Sequence, residues 1–435
     1  MNLATRRLFS PLKVQTSLSL RTTSTSTSPF ARCNSQSTQA KTGIVLMNLG
    51  GPETTDKVNI FLNRLFADHE IIPLPFQKFL GPTIANVRTE KVKKLYQSIG
   101  GGSPIRKWTT MQGDAMVKYL DEKSPETGPH KYYIAFRYAD PLSDEAVLKM
   151  KEDGVKRAVA FTQYPQFSCS TTGGSLNELW RALKRNKLEK EFEWSVVDRW
   201  PEHPGFIEAV ADRINEGLKT IPSEHRDDTI LLFSAHSLPI KVINRGDQYV
   251  PEVAATIQRV MNHLKFSHKY ISTWQSAVGP NWMGPQTVDV VKKLGKRGQK
   301  SVLVVPIAFT SDHIETLSEI DIEMAEDAEK AGIEHFRRAP SLNDSPIFSK
   351  AMGDIVMEHM KSGVLSSSQY PMRCPGCTNE QCRSIVNPIH HEKPHFRFYD
   401  CDCLSLRGHR EKIVPHDIIA YLQPLEPPLI PPYFR

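Results

Sequence analysis

The sequence of 435 residues lacks three features that would assign it to common classes of protein. It has no uninterrupted apolar stretch near the roughly 20 residues that a membrane-spanning helix needs, which argues against a transmembrane protein. Its glycine clusters at 50–51 and 100–102 match neither GxGxxG nor the P-loop pattern, so a nucleotide site has no support. The serines beside His236 do not lie in a GxSxG pattern, which counts against a serine hydrolase.

Acidic residues are absent from the first 52 positions, and this absence locates the net charge. Six of the seven excess positive charges lie in residues 1–41, together with fifteen Ser and Thr. An Arg-rich, Ser-rich and acid-free segment is typical of a mitochondrial or plastid transit peptide, with a disordered basic arm as the alternative. Removal of 1–41 leaves a chain near +1, so the charge gives no support for a nucleic-acid partner.

From residue 43 onward, short β-rich runs alternate with longer amphipathic segments, which predicts an α/β protein with mainly parallel strands. In such sheets, ligands bind beyond the carboxyl ends of the strands, where most of these runs carry polar or ring-bearing residues. The polar stretch 219–228 is the expected boundary between two similar domains with a cleft between them. The predicted strands are 43–48, 131–136, 157–162, 194–198, 229–234, 270–274 and 301–309.

Residues 64–88 concentrate large apolar side chains around two prolines. Pro73 and Pro75 make one regular helix across the segment unfavourable. A buried loop fits this composition, and so does an exposed apolar lip that contacts a membrane or a flat apolar ligand.

Two groups of titratable residues follow predicted strands. His236, in the run LFSAHSLP, lies at the carboxyl end of a strand, where it can take up a proton near neutral pH or bind a metal, although a lone histidine is more often structural. The second group is His313 with Glu315, Glu319 and Glu323, whose spacing stacks three carboxylates over about 12 Å of one α-helical face. Such a series suits a hard divalent cation. An apolar stripe on the opposite face makes a solvated acidic face the interpretation that periodicity alone favours.

Cysteine is clustered near the C-terminus in the pattern C-x2-C-x4-C, which indicates a bound metal. Spacing leaves zinc and an iron-sulfur cluster open, and in a reducing compartment a disulfide is the weaker interpretation. The candidate ligands are Cys374, Cys377, Cys401 and Cys403 as a local zinc-type site, or Cys374, Cys377 and Cys382 with the distant Cys169.

These motifs together resemble the ferrochelatase family, which inserts Fe2+ into protoporphyrin IX in the last step of haem synthesis. The resemblance runs from about Thr42 to Cys382 and includes GIVLMNLGGP, IGGGSPI, AFRY, AFTQYPQFSCSTTG, DRWPEHP, LFSAHSLP, TWQSAVGP and PIAFTSDHIETLSEIDIE. It implies an α/β fold of two Rossmann-like, chelatase-type domains with parallel sheets facing a porphyrin cleft, plus a C-terminal cysteine-rich extension. The implied segments are a transit peptide (1–41), a first domain (42–226) with the lip at 64–88, a second domain (227–370) and an extension with a tail (371–435).

The resemblance also implies roles for individual residues. It turns the acidic series toward the cleft as an iron path, in contrast to periodicity alone. His203 and Asp354 are expected either to be active or to brace the cleft as a hydrogen-bonded pair. The implied catalytic residues are His236, Glu315, His203 and Asp354; the implied porphyrin contacts are Arg88, Tyr96, Ser103, Arg137 and Tyr138; the implied iron path is His313, Glu315, Glu319 and Glu323.

Animal-type members of the family carry a 2Fe-2S cluster, which implies that Cys169, Cys374, Cys377 and Cys382 are its ligands. The tail after Cys382 departs from the family's usual pattern. The resemblance further implies Fe2+ as substrate, a homodimer, and peripheral attachment to the matrix side of the inner mitochondrial membrane. The competing hypotheses are a chelatase for another metal or tetrapyrrole and a non-catalytic porphyrin or haem carrier with an iron-sulfur centre.

Overall fold

The computed structural model describes residues 42–372, 374–377, 379 and 381–386. The predicted transit peptide, and the tail with Cys401 and Cys403, lie outside the described residues. No helix within the described ranges is long and apolar enough to cross a membrane.

Among the described residues, eight strands form two four-stranded sheets in which every neighbouring pair is parallel. The first sheet has the order β2-β1-β3-β4 and the second has the order β6-β5-β7-β8, so both use the same topology. The strands are β1 (Thr42–Asn48), β2 (His130–Phe136), β3 (Arg157–Thr162), β4 (Glu193–Val197), β5 (Ile230–His236), β6 (Tyr270–Gln275), β7 (Ser301–Pro306) and β8 (His335–Arg338).

Helices connect the strands and cover the sheets. Two segments are π-helices rather than α-helices, Cys169–Gly173 and Glu315–Met324, and short 3-10 turns occur at Thr55–Lys57, Pro125–Thr127 and Ser384–Val386. The α-helices are α1 (Val58–Ala67), α2 (Gln77–Ser98), α3 (Ile105–Lys123), α4 (Ser143–Glu152), α5 (Gly174–Arg185), α6 (Pro204–Lys219), α7 (Ser223–Arg226), α8 (Ile240–Asn244), α9 (Tyr249–His263), α10 (Thr287–Lys296), α11 (Ala325–Lys330) and α12 (Pro346–Ser362).

Strand β1 shows why these sheets are buried on both faces. All seven of its residues are buried, as expected where parallel strands have helices on either side. Ile44 and Leu46 pack in one core with Met116 of α3, whereas Val45 packs in another with Val147 of α4. Side chains that alternate along a strand therefore join two different helical layers.

One hydrophobic core extends across both sheets. Leu46 of β1 and Phe233 of β5 belong to the same cluster of buried residues, which also contains Phe206 of α6 and Phe348 of α12. Helix α12 packs against α3 and α6. This shared core fixes the two sheets relative to each other within residues 42–386.

The predicted fold class of two parallel-sheet α/β halves is confirmed, and four details of the prediction need correction. Strand β8 was missed because it is a short edge strand of charged and aromatic residues without apolar alternation. Strand β5 continues to His236, beyond the predicted end at 234. Strand β7 ends at Pro306 rather than at 309. The segment Glu315–Met324 is a π-helix rather than the predicted α-helix.

The strand order places two switch points, at which connections leave a central strand in opposite directions. In the second sheet, β5 lies between β6 and β7. Ligands of open α/β proteins bind beyond the carboxyl ends of strands at such a point. His236 is the last residue of β5, and the residues that follow β6 and β7 lie beside it.

Candidate active site

His236 and Glu315 meet at the carboxyl edge of the second sheet. The Nδ1 atom of His236 lies 3.3 Å from Oε2 of Glu315, and 36% of the histidine side chain is exposed. The two residues come from different elements, the end of β5 and the start of the π-helix that follows β7. Trp282 closes one side, with its ring centroid 6.4 Å from that of His236.

Electrostatic interactions within this group shift several pKa values. Desolvation lowers the pKa of His236, but the carboxylates of Glu315 and Glu319 outweigh it, and the net pKa is raised. Burial raises the pKa of Glu315, whereas His236 and His313 act in the opposite direction and hold it well below its usual value. Burial, together with the neighbouring charge of Glu315, raises the pKa of Glu319. Two adjacent carboxylates with separated pKa values suit different tasks at one pH.

Sequence reasoning missed the two residues that hold the carboxylates together. The hydroxyl of Ser276 donates to Oε2 of Glu315 at 3.1 Å and to Oε2 of Glu319 at 2.5 Å. The Nε2 atom of Gln275 donates to Oε2 of Glu319 at 3.2 Å, and its Oε1 accepts the hydroxyl of Ser234 at 2.6 Å. Gln275 ends β6 and Ser276 follows it, so their position at a strand end was the one sequence signal that pointed to this edge of the sheet, although it did not reveal their partners.

The rest of the acidic series lies in two different settings. The Nε2 atom of His313 is 4.0 Å from Oε1 of Glu315, and burial lowers the pKa of His313. Asp312 fixes the loop that leads into the π-helix, because its Oδ1 accepts a hydrogen bond from the hydroxyl of Thr316 at 3.1 Å. Glu323 is exposed and accepts from Ser318 at 3.3 Å. The series therefore begins in the cleft and ends at the surface, so the fully solvated acidic face that periodicity favoured is wrong for its first members.

As it stands, the described part of the chain contains no group of three or more His, Cys, Asp or Glu side chains placed to hold a metal ion.

Arg137 and Tyr138 follow β2 and contact the predicted lip. The Nη2 atom of Arg137 lies 2.5 Å from Oδ2 of Asp68 and 2.8 Å from Oε2 of Glu70. The hydroxyl of Tyr138 donates to Oδ2 of Asp68 at 2.9 Å. Gly174 gives the guanidinium its space, because a Cβ atom there would lie 1.8 Å from Nη1 of Arg137. Arg137 is buried, and the two acids compensate a charge that would otherwise be costly to bury.

The other predicted porphyrin contacts are distributed around the cleft. Tyr96 is buried, and burial followed by the charge of Glu315 raises its pKa, which places it within electrostatic reach of Glu315. Ser103 is buried and its N–H donates to the carbonyl of Pro52 at 2.7 Å. Arg88 is exposed, with its guanidinium 5.8 Å from the ring centroid of Phe66. Tyr164, which the sequence analysis did not single out, is partly buried and lies within electrostatic reach of both Arg137 and Glu315.

His203 and Asp354 lie near each other but make no hydrogen bond or ion pair to His236 or Glu315. Nε2 of His203 is 3.7 Å from Oε2 of Glu358. Oδ1 of Asp354 accepts the hydroxyl of Tyr119 at 2.7 Å, a contact that joins α12 to α3. Both residues thus lie where α12 packs against the first half of the chain.

The four predicted cluster ligands carry free thiols, and two of them, Cys169 and Cys374, lie beside the loop at residues 245–247. The backbone N–H of Cys169 donates to Oδ2 of Asp247 at 2.7 Å. A Cβ atom on Gly246 would lie 2.6 Å from Cδ of Pro375 and 3.6 Å from Cβ of Cys374, so the C-terminal segment packs directly on this loop. The Cys374 and Cys377 thiols raise the pKa of Cys382 after the larger effect of its burial.

Two parallel sheets of the same topology, with a histidine and two carboxylates at a strand switch point, define an α/β protein with a titratable site at the carboxyl ends of its strands. The Ferrochelatase family model matches residues 41–360. The chain is 53% identical over 359 residues to "Ferrochelatase, mitochondrial" of Xenopus laevis, covering 82% of this chain and 87% of that protein. The corresponding protein of Homo sapiens is 52% identical over 350 residues (80% and 83% coverage). That of Schizosaccharomyces pombe is 51% identical over 361 residues (82% and 85% coverage).

The chain belongs to the ferrochelatase family. It is an enzyme that inserts Fe2+ into protoporphyrin to form haem, the terminal step of haem biosynthesis, and it is mitochondrial.

Proposed function

We propose that iron insertion takes place at the pair of His236 and Glu315. The observation that carries this proposal is the 3.3 Å separation of Nδ1 and Oε2 beyond the carboxyl end of β5. Formation of haem releases two pyrrole protons for each Fe2+ that binds. Neutral His236 accepts one proton, and Glu315 then stabilises the imidazolium that results. Glu319, whose pKa is raised, accepts the second proton more readily than an ordinary carboxylate.

The iron path proposed here consists of His313, Glu315, Glu319 and Glu323. Its support is the change from the exposed Glu323 to the enclosed Glu315 along one helix. Carboxylate oxygens attract a hydrated divalent cation, and an imidazole nitrogen replaces water as the cation loses its hydration shell. In a π-helix with 10 residues, residues four apart remain on one side, so the series stays continuous.

Porphyrin is proposed to bind between the two sheets in contact with Arg88, Tyr96, Ser103, Arg137 and Tyr138. Tyr96 supplies apolar ring surface near Glu315, while Arg88 supplies a positive charge suited to a propionate. For His203 and Asp354, proposed either as active residues or as a bracing pair, the contacts favour bracing: Asp354 of α12 accepts from Tyr119 of α3, and His203 lies 3.7 Å from Glu358 of α12.

We propose that Cys169, Cys374, Cys377 and Cys382 hold a 2Fe-2S cluster. Four free thiols lie on two segments that both pack on residues 245–247. A 2Fe-2S cluster takes four thiolates shared between two irons, so it needs paired thiols rather than three donors around one ion. When bound, the cluster supplies a one-electron redox centre and a covalent link between the two segments.

The remaining proposals concern location and organisation. Residues 1–41 act as the transit peptide. The two chelatase domains consist of residues 42–226 and 227–370, and the extension consists of residues 371–435. The protein forms a homodimer. Attachment to the matrix face of the inner membrane is supported by the lip, where Phe76 is 81% exposed and Phe79 is 77% exposed. Poorly soluble porphyrin would then enter from the lipid surface.

Anaerobic metallation of protoporphyrin IX, followed by its absorption spectrum, tests the proposed site. His236→Ala should lower kcat by about 100-fold to 10,000-fold, the range of general acid–base catalysis, while KM for porphyrin changes little. His263→Ala is the matched control, because this histidine is exposed at the end of α9. Near-normal turnover by His236→Ala would contradict the proposal.

A further inference from the structure

Glu70 is a carboxylate that no motif identified, and it binds side chains from three separate parts of the molecule. Its Oε2 accepts Nη2 of Arg137 at 2.8 Å. Its Oε1 accepts Nδ2 of Asn177 at 3.1 Å, Nη1 of Arg181 at 3.1 Å and Nδ2 of Asn379 at 3.1 Å. Four donors saturate one carboxylate, which makes its position strongly determined.

The donors to Glu70 belong to elements with different proposed tasks. Arg137 follows β2 and contacts porphyrin in the proposed function. Arg181 lies on α5, which continues directly from the π-helix that contains Cys169. Asn379 lies between Cys377 and Cys382, and its Oδ1 accepts the backbone N–H of Gln381 at 3.0 Å.

Glu70 itself belongs to the segment between α1 and α2, at the base of the apolar lip. Two residues earlier, Asp68 binds both Arg137 and the hydroxyl of Tyr138. The short stretch 68–70 therefore holds Arg137 from one side, while Asn379 and Arg181 hold the same stretch from the other side. The carboxylate of Glu70 thus joins Asn379 of the cysteine segment to Arg137.

We propose that Glu70 is a positioning residue that couples the cysteine segment to the porphyrin-binding side of the cleft. The proposal rests on the proposed porphyrin contacts of Arg137 and Tyr138. When the cysteine segment is in place, Asn379 orients Glu70, and Glu70 fixes the buried guanidinium of Arg137. Loss of order around Cys374–Cys382 then weakens porphyrin binding without removing any group that touches iron.

The test is a double-mutant cycle on the full chain, with metal-free protoporphyrin IX as the probe and quenching of tryptophan fluorescence as the readout. Glu70→Gln should raise the Kd about tenfold, and Asn379→Ala about threefold, as expected for lost hydrogen bonds to a charged group. In the Glu70→Gln background, Asn379→Ala should have no further effect, because both changes break the same connection. Glu178→Gln is the matched control, since Glu178 binds Arg181 and Arg185 but neither Arg137 nor Asn379.

Each outcome of the cycle decides the matter. An Asn379→Ala effect of equal size in both backgrounds would overturn the coupling, as would an unchanged Kd in both single variants. The unfolding midpoint of each variant shows whether a change in Kd reflects a general loss of structure. A change in Kd of the same size in Glu178→Gln would also overturn the coupling through Glu70. Arg137→Lys and Tyr138→Phe distinguish failure of the proposed porphyrin site from failure of the proposed role of Glu70. If both variants leave the Kd for porphyrin unchanged, the porphyrin site is misplaced and both proposals fail. If they weaken binding while Glu70→Gln does not, only the role of Glu70 fails.

Discussion

At the scale of single residues, the site depends on charges that shift one another's pKa values. His236 acts as a base only when it is neutral, and Glu315 and Glu319 raise its pKa. Iron insertion should therefore be lost as pH falls through the raised pKa of His236, because the protonated imidazole has no lone pair to offer. Ser276 keeps the two carboxylates within reach of one another through its two hydrogen bonds.

The pH profile of Glu319→Gln tests this electrostatic coupling. Without one of the carboxylates that raise the pKa of His236, the acidic limb of kcat/KM should move to lower pH. The position of the limb is the readout, since a lower maximal rate is also expected for a residue of the iron path. Glu326→Gln, an exposed change on the adjoining α11, should leave the limb where it is in the unmodified protein. A limb that stays fixed in Glu319→Gln would contradict the coupling.

Residues at strand ends could be predicted, whereas their partners could not. His236 and Glu315 follow β-rich runs, so their place at the sheet edge followed from general rules of α/β proteins. Their roles came from resemblance, because periodicity alone turned the acidic series to solvent. Ser276 and Gln275 were missed because their hydrogen bonds reach residues about forty positions away, and no local pattern records such a contact.

At the scale of elements, the two π-helices and the lip differ most from what local pattern predicts. Both π-helices begin at or near candidate site residues, Cys169 and Glu315. Such segments are rare and often occur at functional sites. The lip breaks between α1 and α2 as Pro73 and Pro75 suggested, yet the exposure of Phe76 and Phe79 shows that a wholly buried loop was the wrong alternative.

The cysteine segment should give the purified protein a visible colour. Cys374→Ser should remove the absorption of the proposed 2Fe-2S cluster, because the cluster loses one of its four thiolates. Cys401→Ser is the matched control and should retain the absorption if the tail contributes no ligand. A colourless, zinc-containing protein would contradict the proposed cluster. Loss of colour in Cys401→Ser would show that the tail supplies a cluster ligand.

The lip should determine binding to lipid rather than turnover. Phe76→Ser together with Phe79→Ser should weaken binding to liposomes of mitochondrial lipid composition by ~10-fold or more, since each buried aromatic side chain is worth about 2 kcal/mol. Insertion of iron into detergent-dispersed porphyrin should change little. Leu148→Ser is the control, because this leucine of α4 is also half exposed but lies outside the lip. Equal losses of lipid binding in the control and in the lip variant would contradict the assignment.

At the scale of the whole molecule, one topology is used twice and the halves share a core. Alternating segments made the α/β class predictable, because parallel strands covered by helices on both faces read as short apolar runs. The hydrophobic core that joins the two sheets could not be predicted from these segments. Phe206 and Phe348 belong to helices more than a hundred residues apart, and only the structure brings them into one cluster.

In the proposed function, catalysis depends on two residues that lie on different elements. His236 ends β5, and Glu315 opens the helix that follows β7. If the two act as one unit, removing either should cost about as much as removing both, as is general for catalytic groups that work together.

The most direct measurement is therefore the rate of anaerobic Fe2+ insertion by His236→Ala, Glu315→Ala and the double variant, with folding checked by thermal unfolding. Each single variant should lose about 100-fold or more in kcat, and the double variant should be no slower than the slower single variant. Near-normal turnover in either single variant would contradict the central claim. Losses that multiply in the double variant would show that the two residues act separately.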